Sequence, residues 1–416
     1  MFGLVDGNNF FVSCERVFDR TLAGRPVAVL SNNDGCCVAR SNEFKALGIP
    51  MGTPYFKLKG REATGELVFR SSNYELYADM SRRIISILRE EARDVEQYSI
   101  DEAFIDPPEG KGGDLLAYGV ALRAKILRWV GIPCGVGFAP TKTLAKIANH
   151  IAKKSARGVY VLPDDPTEIL AALPAGEVWG VGRRLPRRLL ARGIATAKAL
   201  RDAPDSTILS VGGVMLLRTA TELRGTPCAE GRAYDADPES ITCSRSFGQP
   251  VETLEGLSEA VASFASQAAE KLRRHGLVAA GCNVYAQLSA LGGGGDFCGR
   301  TATFPSPTDA TNEILRAIRP AVAAIFTKGR RYRKAGVMFF GLENASGPRQ
   351  ADLFDDGVAP RGPSPLYRVI DKINARFGRG AVFSAAEGLG AHAWKMRRGL
   401  LSPRATTRWD ELLRVR

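Results

Sequence analysis

The run QYSIDEAFID, residues 97–106, places Asp101 beside Glu102 inside an otherwise apolar, strand-prone stretch. Adjacent side chains on a regular strand point to opposite faces, so two neighbouring acids put at least one carboxylate toward a buried face. A fold that accepts this pair has to compensate it.

The first 165 residues alternate between strand and helix patterns. FGLVDG reads as a short apolar strand ending in Asp6, and NNFFVSCERVF after it has helical spacing at Phe11, Cys14 and Phe18. PVAVLS is a second strand. A turn at NNDGCC leads through VARSNEFKALGIPMG, where Pro50 and Gly52 stop a short helix. NYELYADMSRRIISILREEA predicts a long amphipathic helix with Leu76, Met80, Ile84, Ile87 and Leu88 on one stripe. VEQYS and EAFID read as two strands meeting near SIDE. LLAYGVALRAKILRWV is another helix, PCGVGFA a strand, and TKTLAKIANHIAKK a helix with a basic face. From about Pro166 to Gly231 short arginine-bearing helices take over, and residues 240–345 return to strands around two helices. The stretch ENASGPRQADLFDDGVAPRGPSP has linker composition and leads to a basic end.

At 416 residues and 44.8 kDa, the length favours two to four domains. No uninterrupted apolar run reaches the length of a membrane span, so no membrane partner is expected. The N-terminal stretch lacks a basic n-region and meets Asp6 early, which predicts a cytoplasmic chain. The eight cysteines form no CxxC pair, and only three histidines are present. That argues against a zinc site and against a Ser/His or Cys/His relay, leaving carboxylates and metals as the better candidates. A net charge of +13, with Arg183, Arg184, Arg187, Arg188 and Arg192 in one cluster and Arg330, Arg331, Arg333 and Lys334 in another, favours a polyanionic partner such as nucleic acid.

Four motifs could carry chemistry. If their strands lie side by side, Asp6, Asp101 and Glu102 surround one point, and such an all-oxygen cluster selects Mg²⁺ or Mn²⁺; two such ions form the clamp for in-line phosphoryl transfer. The alternative is that Asp101 caps a turn and Glu102 is solvated. Lys142, Lys146 and Lys153 share nearly one helical face, suited to a triphosphate or a phosphate backbone. The Gly180-Val181-Gly182 turn with Arg183 and Arg184 could offer backbone N–H groups to DNA phosphate, or could be an ordinary αα-hairpin. Gln350 to Phe354, QADLF, suits a tethered docking peptide anchored by Leu353 and Phe354.

In chain order, DGNNFF, SNNDGCCVAR, SSNYELYADMS, YSIDEAF, GVGFAPTKTLAKIAN, VWGVGRRL and CSRSFGQPV resemble the Y-family translesion DNA polymerases. The likeness spans nearly the whole chain. QADLFDD and LSPRATTRWDELLRV resemble segments of the UmuC branch of that family. The resemblance implies an α+β multidomain right hand: palm at 1–30 and 75–165, fingers at 31–74, a helix-hairpin-helix thumb at 166–232 and a little finger at 240–345. The C-terminal interaction tail is 346–416, with its clamp-binding-like peptide.

By the same resemblance, Asp6 and Asp101 are metal-binding aspartates and Glu102 the adjacent catalytic glutamate, together holding two Mg²⁺ ions, with Mn²⁺ possible. Phe11 matches the steric gate against a ribose 2′-OH, and Lys45 and Lys146 match basic contacts to the incoming dNTP. Asn42 and Lys45 stand where many Y-family enzymes carry Tyr and Arg, so the grip on the triphosphate differs, because Lys cannot form the bidentate fork of Arg. Implied partners are primer-template DNA, the sliding clamp through Gln350, Leu353 and Phe354, a UmuD′-like dimer and RecA. The implied activity is error-prone template-directed nucleotidyl transfer opposite damaged DNA in the bacterial SOS response, in the cytoplasm and at the nucleoid. The rivals are a non-catalytic DNA-binding scaffold and a nucleotidyl cyclase with a similar palm.

Overall fold

Short apolar strands and amphipathic helices alternate in a computed structural model that describes residues 1–108, 114–228, 238–289, 296–347, 365–378, 380–390, 392 and 394–412. Two units emerge, Met1–Asp235 with Gly399–Arg416, and Ala236–Arg398. The peptide Gln350, Leu353 and Phe354 lies outside the described residues.

The first unit runs β1 (Phe2–Gly7), α1 (Phe10–Phe18), β2 (Val27–Leu30), β3 (Cys37–Arg40), α2 (Asn42–Ala46), α3 (Lys59–Ala63), β4 (Val68–Ser71), α4 (Tyr74–Glu91), β5 (Asp94–Gln97) and β6 (Glu102–Asp106). It continues with α5 (Leu115–Val130), β7 (Cys134–Ala139), α6 (Lys142–Ala152), β8 (Val159–Val161), α7 (Thr167–Ala172), α8 (Leu185–Leu190), α9 (Ala197–Asp202) and α10 (Asp205–Leu223).

Its main sheet has the order β5-β6-β1-β7-β8, which makes the first strand of the chain the central one. β1 is buried along nearly its whole length, as a strand covered on both faces must be. Strand alternation divides its side chains between two cores. Val5, Ala103 and Ile105 pack with Tyr77, Met80 and Leu88 of α4 and with Leu122 and Ile126 of α5. Leu4 and Phe104 face the other way, onto Leu144, Ala145 and Ala148 of α6 and onto the helices that follow. Asp6 and Glu102 share the parity of Leu4 and Phe104, so they belong to the α6 side. Helix α6 sits directly on β7: a Cβ at Gly137 would lie 2.1 Å from the Asn149 backbone nitrogen, a distance only glycine permits.

A three-stranded sheet, β3-β2-β4, encloses a smaller core of Ala28, Leu30, Cys37, Phe44 and Phe69. The short helix predicted within VARSNEFKALGIPMG is α2, and a strand not read from the sequence precedes it. Cys37–Arg40 is a strand, because Ala39 and Arg40 pair with Val29 and Ala28, and the helix after it is only five residues long.

The second unit contains β9 (Ile241–Val251), α11 (Leu254–His275), β10 (Leu277–Leu288), β11 (Phe297–Thr308), α12 (Thr311–Ile325), β12 (Tyr332–Asn344) and α13 (Pro365–Phe377). Its antiparallel sheet has the order β11-β10-β12-β9, and its core joins sheet residues to Leu257, Phe264 and Leu272 of α11 and to Ile314 and Ile318 of α12. The basic end of the chain is largely built into the fold. Trp394 packs edge-on to Phe264 at 5.8 Å, and Arg273 holds Asp371 of α13 through two hydrogen bonds. Beyond Arg398 the chain belongs to the first unit. Among the described residues no helix is long and apolar enough to cross a membrane.

Candidate active site

Pairing of β1 with β6 sets Asp6 opposite Glu102, and the Gly7 N–H donates to the Asp101 carbonyl oxygen at 2.8 Å. The chain turns between β5 and β6, and Ser99 organises that turn. Its hydroxyl oxygen accepts from the Asp101 and Glu102 N–H groups at 3.2 and 3.0 Å, and its O–H donates to Asp101 Oδ1 at 2.6 Å. Strict alternation lapses at the bend, which lets the adjacent acids border the region that Asp6 enters from the central strand.

Each flanking carboxylate meets a lysine of the α6 segment. Lys153, just past the helix end, lies 2.6 Å from Asp6 Oδ2, and Lys146 lies 2.9 Å from Glu102 Oε1. Lys146 is further boxed by aromatic rings, 4.4 Å from the centroid of Tyr98 and 5.4 Å from that of Trp179. The shared basic face is thus turned inward onto acids. Even Lys142, only 4% exposed, pairs with Glu96. A helical spacing shows that the lysines share a face and says nothing about what that face meets.

Burial pushes the Asp6 carboxyl up to about 6; Lys153 pulls it down, and the charges of Glu102 and Asp101 push it up again. Desolvation outweighs the cation beside it, so the site holds a carboxylate that burial leaves poorly solvated. The donors are all carboxylate oxygens, so a hard divalent cation fits the chemistry of this corner. Among the described residues no three His, Cys, Asp or Glu side chains close on a single point.

Two of the four residues expected at the nucleotide, Asn42 and Lys45, lie along one chain of hydrogen bonds. Lys45 Nζ donates to Asn9 Oδ1 at 2.6 Å, and Asn9 Nδ2 donates to Asn42 Oδ1 at 3.0 Å. Burial, and then the Arg40 and Lys153 cations, hold the Lys45 ammonium below its usual range, while Asp6 acts the other way. Asn9, which joins Lys45 to Asn42, is not among the residues the sequence singles out. It precedes α1 with φ 48°, a left-handed conformation that Asn tolerates better than most side chains, and the Asn-Asn pair after a strand was its only local signal. In the sequence Lys153 stands out only as one of three lysines on a face.

Phe11 lies on Tyr77 with ring centroids 4.4 Å apart and planes 15° apart. The Gly180 to Arg184 turn follows a single 3-10 turn and opens into α8, which has only six residues. Gly180, at φ 92°, packs so tightly that a Cβ would lie 2.5 Å from Thr219 Oγ1, while Gly182, Arg183 and Arg184 are exposed.

The impB/mucB/samB family matches residues 5–150, its C-terminal domain matches 238–353, and a domain of unknown function, DUF4113, matches 364–415. Protein UmuC of Salmonella typhimurium is 44% identical over 100% of both chains, and DNA polymerase IV of Moorella thermoacetica is 30% identical over 93% of this chain and 96% of its own. The fold matches a Y-family DNA polymerase chimera, Dbh-Dpo4-Dbh, with a TM-score of 0.65 at 22% identity, over 82% of this chain and 99% of that one. The chain belongs to the impB/mucB/samB family, and its fold is that of the Y-family right hand. Its membership makes it a UmuC-like, error-prone translesion DNA polymerase of the bacterial SOS response. Both rival readings fall with that membership.

Proposed function

We propose that template-directed nucleotidyl transfer is carried out at the corner where β1, the β5–β6 turn and α6 meet. The observation that carries this reading is the grouping of Asp6, Asp101 and Glu102 beside Lys153 and Lys45, with the Asp6 carboxyl raised to about 6 by burial. Asp6, Asp101 and Glu102 would hold two Mg²⁺ ions, or Mn²⁺. Bound there, such a pair activates an attacking oxygen and stabilises the leaving one. Lys153 and Lys45 face the region as unforked point charges for the dNTP triphosphate, and Asn9 and Asn42 orient Lys45. Lys146 acts through Glu102, whose position it holds. Phe11 stands as the steric gate against a ribose 2′-OH.

On the same resemblance we divide the chain into a palm of residues 1–30 and 75–165, fingers of 31–74, a thumb of 166–232, a little finger of 240–345 and a C-terminal tail of 346–416. In the thumb, the exposed Gly182, Arg183 and Arg184, with the neighbouring Gly180, suit the primer-template backbone, which is held through its charge and not its sequence. The sliding clamp at Gln350, Leu353 and Phe354, a UmuD′-like dimer and RecA are the protein partners we assign by resemblance, with action at the nucleoid in the cytoplasm.

Primer extension in Mg²⁺ on intact and lesion-bearing templates tests the reading. Extension through the lesion is expected. Asp101→Ala should lower incorporation at least about 10³-fold, the scale of several kcal/mol of charge stabilisation. Incorporation by Asp101→Ala at the wild-type rate would refute the carboxylate assignment, and a block at every lesion with intact synthesis elsewhere would refute the bypass activity.

A further inference from the structure

The segment that begins at Gly399 is bonded into the first unit at successive residues. Gly399 N–H donates to Asp34 Oδ2 at 2.8 Å; Leu400 N–H donates to Ser71 Oγ and Leu400 O accepts from Ser71 N–H, both at 2.9 Å. The Asn73 amide, which caps α4 through its oxygen, gives its N–H groups to Ser402 Oγ at 2.9 Å, Ser402 O at 3.1 Å and Pro403 O at 3.3 Å. Ser402 O–H then donates to Glu15 Oε1 at 3.0 Å, the same oxygen that accepts the Tyr77 O–H at 2.6 Å.

Glu15 is 2% exposed and Tyr77 fully buried, so this carboxylate depends on protein donors in place of water. One of its donors is Ser402, 387 positions away in the chain; another is the hydroxyl of Tyr77, on whose ring Phe11 stacks. Behind the carboxylate lies a cavity of about 190 Å³ lined by Glu15, Phe18, Arg70, Leu76, Ser402 and Pro403. Loss of the Ser402 hydroxyl would leave Glu15 short of a donor next to empty space, free to draw the Tyr77 hydroxyl, and with it the stacked ring, toward a new position.

We propose that the C-terminal segment is a positioning element for sugar selection: Ser402, through Glu15 and Tyr77, sets the place of the Phe11 ring and so the discrimination between dNTP and rNTP. The inference rests on the gate reading of Phe11. Ser402 and Glu15 touch no substrate; they act through Tyr77.

The test uses the full-length protein and steady-state incorporation of a dNTP and the matching rNTP, with kcat and KM measured for each. Phe11→Ala calibrates the gate and should collapse the ratio of the two kcat/KM values. Ser402→Ala and Tyr77→Phe, which keeps the ring and removes only the hydroxyl, should each lower that ratio roughly 5- to 30-fold, the range of a one- or two-interaction loss. Ser402→Thr, which retains the hydroxyl, should restore it. A merely structural role would lower incorporation of both sugars together and leave the ratio alone. If Phe11→Ala lowers the ratio while Ser402→Ala and Tyr77→Phe keep the wild-type value, the coupling is overturned and the gate stands. A Phe11→Ala ratio equal to wild type overturns the gate and the inference with it.

Discussion

Lys153 carries its ammonium 2.6 Å from Asp6 Oδ2, joining the end of α6 to the end of the central strand. The pair ties a cation at a helix end to an acid that burial raises to about 6.

Lys153→Met should raise the Asp6 carboxyl further above 6 in metal-free protein, because Lys153 is the main influence holding it down. Carboxyl NMR titration reads this directly. The same variant should lose about 10- to 100-fold in kcat/KM for dNTP, the scale of one charge-assisted hydrogen bond. An Asp6 titration that does not move would show that the ion pair does not form in solution.

Gly137→Ala should destabilise the protein by about 3 kcal/mol or more, since the added methyl meets the backbone of α6 and no side chain can yield. Asn149 locks the helix at that place by donating to Leu4 O at 3.0 Å and to Gly135 O at 2.9 Å. Urea unfolding would measure the loss, and a shift below about 0.5 kcal/mol, the level of an ordinary surface substitution, would contradict the packing.

Glu222 of α10 receives the Thr143 N–H at 2.8 Å and the Thr143 hydroxyl at 2.6 Å, and its backbone carbonyl receives the Thr141 hydroxyl at 3.0 Å. It thereby satisfies the first turn of the site-bearing helix from a distant element. Glu222→Ala should cost about 2 kcal/mol, with Glu222→Gln milder, and the Thr143 amide should exchange faster in the alanine variant. Unchanged exchange at Thr143 would remove Glu222 from this role.

Burial raises the Glu15 carboxyl above 4.5 despite the hydrogen bonds from Tyr77 and Ser402. The folded state therefore holds this proton more tightly than the unfolded chain does. The resulting stability is fully present below 4.5 and is lost as pH rises through the folded value. Glu15→Gln removes that dependence, so its Tm relative to wild type should be higher at pH 8 than at pH 5. A difference that stays constant across this range would show that Glu15 does not titrate as a buried acid.

Much of the site is legible in local pattern. β1 and β6 follow from short apolar runs, α4 and α5 from stripes at helical spacing, and the bend at SIDE from two acids that a straight strand would have to bury. Asp6, Asp101 and Glu102 stand out because each acid is out of place in its own neighbourhood. Asn9 gave no such signal, and the three lysines of the α6 segment read as a face suited to phosphate while they meet acids, since periodicity reports a shared face and never its partner.

What determines element type is short-range: backbone preference and the alternation of apolar residues, both contained in a few successive positions. What determines the working corner is long-range. Lys153 meets Asp6, Glu222 caps Thr143, and Ser402 reaches Glu15 across 387 positions, because strand order and helix packing bring those groups together. Contacts of that span depend on the whole chain being folded at once, so only the tertiary structure could turn a basic terminal segment into a donor for the acid beneath Tyr77.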